Sequence, residues 1–201
     1  QFCTELIVPL PGMTLDIHMN DLRDVVDKLG MNSIEIHQLS LLKGSEMDTR
    51  SERKRLNLDS RYRVYNGGVG IYDIGDQAVP IAETEELVVA SEKMPLEDYL
   101  ECRTMDLLIK ILVDNDPYKE LFQMLKNLDL SVFDLLLLFK DHHLKKSEPL
   151  NTVIDNYKDL LLKKLYQSSD EIAAVTSDVE IVKKYMSGEL GANELSTFRV
   201  L

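Results

Sequence analysis

The stretch Glu5–Met47, ELIVPLPGMTLDIHMNDLRDVVDKLGMNSIEIHQLSLLKGSEM, decides the fold. Glu5–Val8 is short, apolar and β-prone, and Pro9-Leu10-Pro11-Gly12 stops it. Thr14 or Asp16 can cap a following helix. Leu22, Val25, Val26 and Leu29 fall at i, i+3, i+4 and i+7, which predicts one apolar face. Gly30 is a natural residue to close that helix. Ser33–Leu39 then reads as a second strand. Ile34, Ile36 and Gln38 share one side of it, and Glu35, His37 and Leu39 share the other. Neither side is cleanly polar, which suits a strand inside a closed sheet. The order strand, helix, strand favours a parallel pair joined by a right-handed crossover, with any site at the strands' carboxyl ends.

Working outward, Leu41–Ser45 leaves the sheet and Asp48–Leu58 reads as a short, basic, exposed helix. Arg61–Tyr65 alternates as a strand. Asn66-Gly67-Gly68 is a turn signal, and Gly70–Ile74, Gly75-Asp76 and Val79–Ala90 predict a hairpin or small meander. Pro80 places an edge or bulge there. From Met94 the pattern turns helical. Pro95 opens a helix to about Val113, Asp116-Pro117 one to about Asn127, and Ser131 caps one over Val132–Lys145. The Leu135–Phe139 run of that helix is expected to be buried. Asn151–Tyr166 is a further helix, and shorter ones follow. The fold class is therefore α/β, a partial-barrel βαβ unit plus a small β meander, followed by an all-helical C-terminal region. The expected domains are 1–93 and 94–201.

Composition bounds the function. The 201 residues carry a net charge of −12, with 44% apolar and 29% charged residues. That is ordinary for a globular chain. The acidity argues against nucleic acid or an anionic membrane surface as a partner, because both need clustered Lys and Arg. Cys3 and Cys102 stand far apart, without a CxxC or a Cys/His cluster, so neither a disulfide framework nor a structural zinc site is expected. With no secretory signal and no long apolar run, the expected location is cytoplasmic. The first residue is Gln, which suggests a processed or excised piece.

Individual residues offer modest chemistry. His142-His143 near a helix end is a poor metal pair, because neighbours on a helix face apart, and interaction with the helix dipole is the expected role. His18 is expected to be half-exposed. His37 either faces a barrel lumen, as a substrate contact, or is a hydrogen-bonded core or outer-face residue. Glu83, Glu85 and Glu86 read either as acid/base candidates or as a solvated strand edge. Arg61 and Arg63 share a strand face near Tyr72 and could hold an anionic substrate group, against the default of paired surface charges. Gly67-Gly68 and Gly70 lack the context of a phosphate-binding loop.

Two segments carry a family resemblance. Glu5–Thr14 (ELIVPLPGMT) resembles the fifth strand, and Gln38–Glu46 (QLSLLKGSE) the sixth strand, of the partial (β/α)₆ barrel of radical S-adenosylmethionine (SAM) enzymes. Arg61-Tyr62-Arg63, Gly70-Ile71-Tyr72, Glu83–Val89 and Glu97–Arg103 resemble the tail of the branch that carries an N-terminal cobalamin-binding domain. Gly188–Leu195 resembles the end of that tail. The resemblance implies radical chemistry in the intact protein, in which a [4Fe–4S] cluster reduces SAM. The cluster is held there by a CxxxCxxC loop that this chain lacks. The chain would then be a C-terminal portion, inactive alone, with no cofactor expected on it by itself and cobalamin possible only through another domain. By resemblance, Ile7 and Pro9 of the fifth strand and Gln38, Leu39 and Leu41 at the sixth strand's end line the SAM adenine. His37, Arg61, Arg63 and Tyr72 are the candidate contacts for an unidentified small-molecule substrate. The incomplete barrel would leave Glu5–Val8 as an edge strand, covered or paired in a homodimer. The alternative is a freestanding, non-catalytic acidic α/β interaction module.

Overall fold

The computed structural model describes residues 3–191, so residues 192–195 of the Gly188–Leu195 segment lie outside the described residues. The elements are β1 (Thr4–Val8), α1 (Leu15–Arg23), β2 (Ile34–Gln38), α2 (Arg50–Arg55), β3 (Asp59–Ile74), β4 (Gln77–Ala90), α3 (Leu96–Leu112), α4 (Lys119–Asn127), α5 (Val132–Leu138), α6 (Glu148–Lys163), α7 (Ser169–Thr176) and α8 (Val179–Met186). This is a mixed α/β chain followed by a helical region. It divides into two compact units, each built from two separated stretches: 1–39 with 90–158, and 40–89 with 159–201. The units do not follow a linear division at residue 93, because the C-terminal helices are shared between them. No helix among the described residues is long and apolar enough to cross a membrane.

In the first unit β1 and β2 are parallel, with Thr4 opposite Ile34, Glu5 opposite Glu35, Leu6 opposite Ile36, Ile7 opposite His37 and Val8 opposite Gln38. Thr14 caps α1 by accepting the Ile17 N–H at 3.2 Å. The helix does not run straight to Gly30. Asp24–Lys28 forms a π-helical turn, sealed by the Leu29 N–H donating to the Asp24 carbonyl at 2.9 Å. A π turn spreads more residues over each revolution and so shifts the phase of the apolar stripe. Leu22, Val25 and Val26 are buried as predicted, but Leu29 is 62% exposed. Gly30 closes the helix at φ +62°, a conformation that costs a side-chain-bearing residue free energy.

α3 is the main buried helix. Cys102 to Ile109 is buried without a break, and it includes Met105, Leu107 and Leu108. α5 also passes into a π turn, Phe139–Leu144. Of its apolar run only Leu136 is buried, and Leu138 is 50% exposed. A helix buries a stripe and not a run, which corrects the expected burial of Leu135–Phe139. α6 begins three residues earlier than predicted, at Glu148. Pro149 is tolerated there because a first-turn N–H has no intrahelical partner.

In the second unit β3 and β4 form a two-stranded sheet, joined by a turn at Gly75-Asp76 with Gly75 at φ +63°. Contrary to the predicted turn at Asn66-Gly67-Gly68, β3 runs unbroken through those residues. The rings of Tyr65 and Tyr72 lie 3.0 Å from where Cβ atoms on Gly67 and Gly70 would stand, and Gly68 faces the Glu83 side chain. Large neighbours thus fill the space that the glycines leave. Tyr166 extends the pairing through reciprocal backbone bonds with Tyr62, at 2.9 and 2.7 Å. α7 and α8 pack on β3, where Ile172 and Val182 are fully buried.

The phase shift at Asp24–Lys28 has a measurable consequence. Leu22→Ala should cost about 2–5 kcal/mol, the usual loss for a buried leucine. Leu29→Ala should stay within about 0.5 kcal/mol, as surface changes do. Urea denaturation of both variants checks this, and equal losses would contradict the π turn.

Candidate functional site

The two faces of the β1–β2 sheet differ sharply. Val8 and Ile34 turn to the interior at 0% and 1% exposure, and Gln38 on that face donates its Nε2 to the Tyr99 hydroxyl of α3 at 2.5 Å. The opposite face carries Glu5, Ile7, Glu35 and His37, all exposed. Among the described residues β1 pairs only with β2, so its other edge is open. Parallel sheets are normally covered on both faces. A bare face and an open edge on a parallel pair are thus the unusual features of this unit. They also correct the expectation of a strand inside a closed sheet.

Of the candidate SAM residues, Ile7, Pro9, Gln38 and Leu39 belong to the first unit and Leu41 to the second. Ile7 is 40% exposed and sits opposite His37, so these two share the bare face. Pro9 is buried at the end of β1. The Leu39 N–H donates to the Val8 carbonyl at 2.9 Å, and the Leu41 N–H to the Glu86 carbonyl at 2.8 Å. Both donors are therefore committed within the fold, and both side chains are buried. The exposed Ile7 side chain is what these residues offer to an adenine ring.

The candidate substrate residues of the second unit are not brought together. Arg63 Nε donates to Glu85 Oε1 at 2.5 Å, and Arg61 pairs with Asp59 and donates to the Ser60 carbonyl. Tyr72 is 57% exposed on the same strand. Nine positions separate it from Arg63, roughly 30 Å of extended chain.

The buried polar sites join distant residues whose pairing the sequence does not display. His18 is 1% exposed, not half-exposed. It lies one turn before Leu22 on the same helical face, and its Nε2 is 2.7 Å from Asp106 Oδ1. Arg103 Nη1 donates to the other Asp106 oxygen at 3.0 Å. The signal in the sequence was the charged pair Arg103 and Asp106 set inside an apolar helix. In the second unit Glu86 is buried, not a solvated edge residue. Arg53 grips it with two bonds of 2.6 and 2.8 Å, Ser60 donates at 2.5 Å, and Asp48 holds the same guanidinium at 2.6 Å. Burial alone would raise the Glu86 carboxyl, but the bonds from Arg53 and Ser60 outweigh it and hold the group below the ordinary range. The same carboxylates drive the Arg53 guanidinium further up. Glu101 is a third acid of this kind. Lys158 at 2.6 Å and Lys140 at 3.3 Å outweigh its burial and lower it. Each is an acid satisfied by ion pairs, which suits a structural role better than proton transfer. His142 and His143 are exposed, with His143 stacked on Phe139.

No protein-family model and no curated protein matches this sequence.

The residues present do not fit a [4Fe–4S] cluster. Such clusters are held by convergent thiolates. Cys3 is exposed, whereas Cys102 is buried against Met94 and its thiol is pushed up by that burial. Among the described residues, no three His, Cys, Asp or Glu side chains converge as a metal set.

The Glu86 cluster sets a pH dependence. A carboxyl held low in the folded state adds stability that is present above the unfolded value, about 4.3. That stability fades as pH falls through the folded value. Glu86→Gln should therefore cost about 3 kcal/mol near pH 7, in line with breaking a buried ion pair. The deficit should shrink in acid below about pH 4. Chemical denaturation at several pH values measures it, and a pH-independent deficit would contradict the assignment.

Proposed function

We propose that this chain is the C-terminal portion of a radical SAM enzyme, of the branch with a cobalamin-binding domain, and that it contributes part of the SAM and substrate pocket. One observation carries the reading: a parallel β1–β2 pair with helices on one side, a bare face on the other and an open edge on β1. That is the arrangement a barrel segment has when its neighbouring strands lie elsewhere in the polypeptide or in a partner.

On this reading the bare face, with Ile7 and His37 side by side, would be turned to the barrel lumen. The Pro-Gly loop after β1 and the Gln38–Leu41 segment after β2 both leave the carboxyl ends of their strands, where ligands bind in open α/β sheets. The role of this chain's own residues is then to bind and orient. Ile7 packs on the adenine, and His37 stands within reach of a substrate on the same face. Cluster and reductive chemistry belong to the portion with the CxxxCxxC loop. If that portion is a separate partner, β1 is the edge that receives it, and a second copy of this chain could cover the same edge.

The sequence encoded upstream of Gln1 tests the proposal. A CxxxCxxC motif in frame, about one domain length or roughly 100 residues or more before it, is the expected finding. A start codon close to Gln1, with no such motif, would overturn the reading in favour of a freestanding interaction module.

A further inference from the structure

A hollow of about 170 Å³ lies in the first unit, beside α4. Asn32, which precedes the amino end of β2, is part of its lining. Its floor is apolar, made by Val26, Val113, Phe122 and Val132, and all four are buried. Its rim is basic. Lys119 and Lys126 line it from positions seven apart on α4. That spacing is two helical turns, so both lie on one side of the helix. Neither forms an ion pair among the described residues, although most of this acidic chain's basic side chains do. The Lys126 ammonium lies 3.3 Å from where a Cβ on Gly30 would stand, so the bare glycine leaves room for the charge at the rim. The one acidic residue of the lining, Asp116, already accepts a 2.5 Å hydrogen bond from Asn32.

We infer that this hollow binds a small carboxylate with a compact apolar body. The volume admits a body about the size of benzene, which a 150 Å³ apolar protein cavity is known to accept. The two ammonium groups reach the anionic end on flexible stems. An apolar floor with a few convergent polar groups is the usual composition of a small-molecule site. The inference is independent of the radical SAM reading, because it uses none of the same residues.

Titration of the whole chain with sodium benzoate at constant ionic strength, followed by NMR of the Val26, Val113 and Phe122 side chains, tests it. Saturable shifts at these residues are expected. Lys126→Gln should weaken binding about tenfold, the loss of one charge-assisted contact, and Lys119→Gln with Lys126→Gln should weaken it further. Both lysines are exposed, so the variants should keep the far-UV circular dichroism of the parent. Three results would each overturn the inference: no saturable shift, equal binding of neutral benzamide, or unchanged affinity in the double variant.

Discussion

The bond between the His18 imidazole and the Asp106 carboxylate, reinforced by Arg103, is the constraint on which the first unit depends. It ties α1 to the middle of α3, 88 residues away in sequence. Two charged or polar groups taken this far from water are tolerable only as partners. Removing either one would leave the other buried and uncompensated. Because the pairing is directional, it also sets how α1 can lie on α3, which apolar packing alone specifies less strictly. Asp27, on the π turn that continues α1, adds a second fastening. Its carboxylate accepts the Val132 and Phe133 N–H groups at 2.9 and 3.2 Å and so caps α5. Arg23 completes that junction, over the Phe133 ring and 2.7 Å from Asp134.

With one face of the β1–β2 sheet held in this way, the other is left without a cover. The contrast between Ile34 at 1% and Ile7 at 40% exposure, on neighbouring strands of five residues, is the physical content of the functional proposal. An isolated two-stranded parallel pair has little stability of its own. Here it is held by the helices behind it. The buried groups His18, Asp106 and Glu86 are engaged in holding the fold together.

Much of this was legible in the sequence where the signals are local. The β1–α1–β2 order, the Gly30 closure, the helix beginning after Pro95 and the Ser131 cap follow from turn chemistry and capping. What the sequence hid depends on distant partners or on a change of helical phase. Leu29 and Leu138 follow the apolar pattern but end outside, because a π turn or the width of the buried stripe decides otherwise. Asn66-Gly67-Gly68 has turn chemistry, yet it runs extended within β3, with the Tyr65 ring over Gly67 and the Glu83 side chain against Gly68. Glu86 looks like one of several edge acids until Arg53, 33 residues away, closes on it. The candidate site was legible only in part. Ile7 and His37 come together as strand alternation and pairing allow, whereas Arg63 and Tyr72 are kept apart by a strand longer than the turn signal predicted.

Amide hydrogen exchange over Thr4–Val8 and Ile34–Gln38, in this chain alone and in the longest polypeptide its gene encodes, tests the central claim most directly. The β1 amides not bonded to β2 should exchange quickly in the isolated chain. In the longer polypeptide they should become strongly protected, as pairing along that edge would require. Equal protection in both, or a gene that encodes nothing longer, would contradict it.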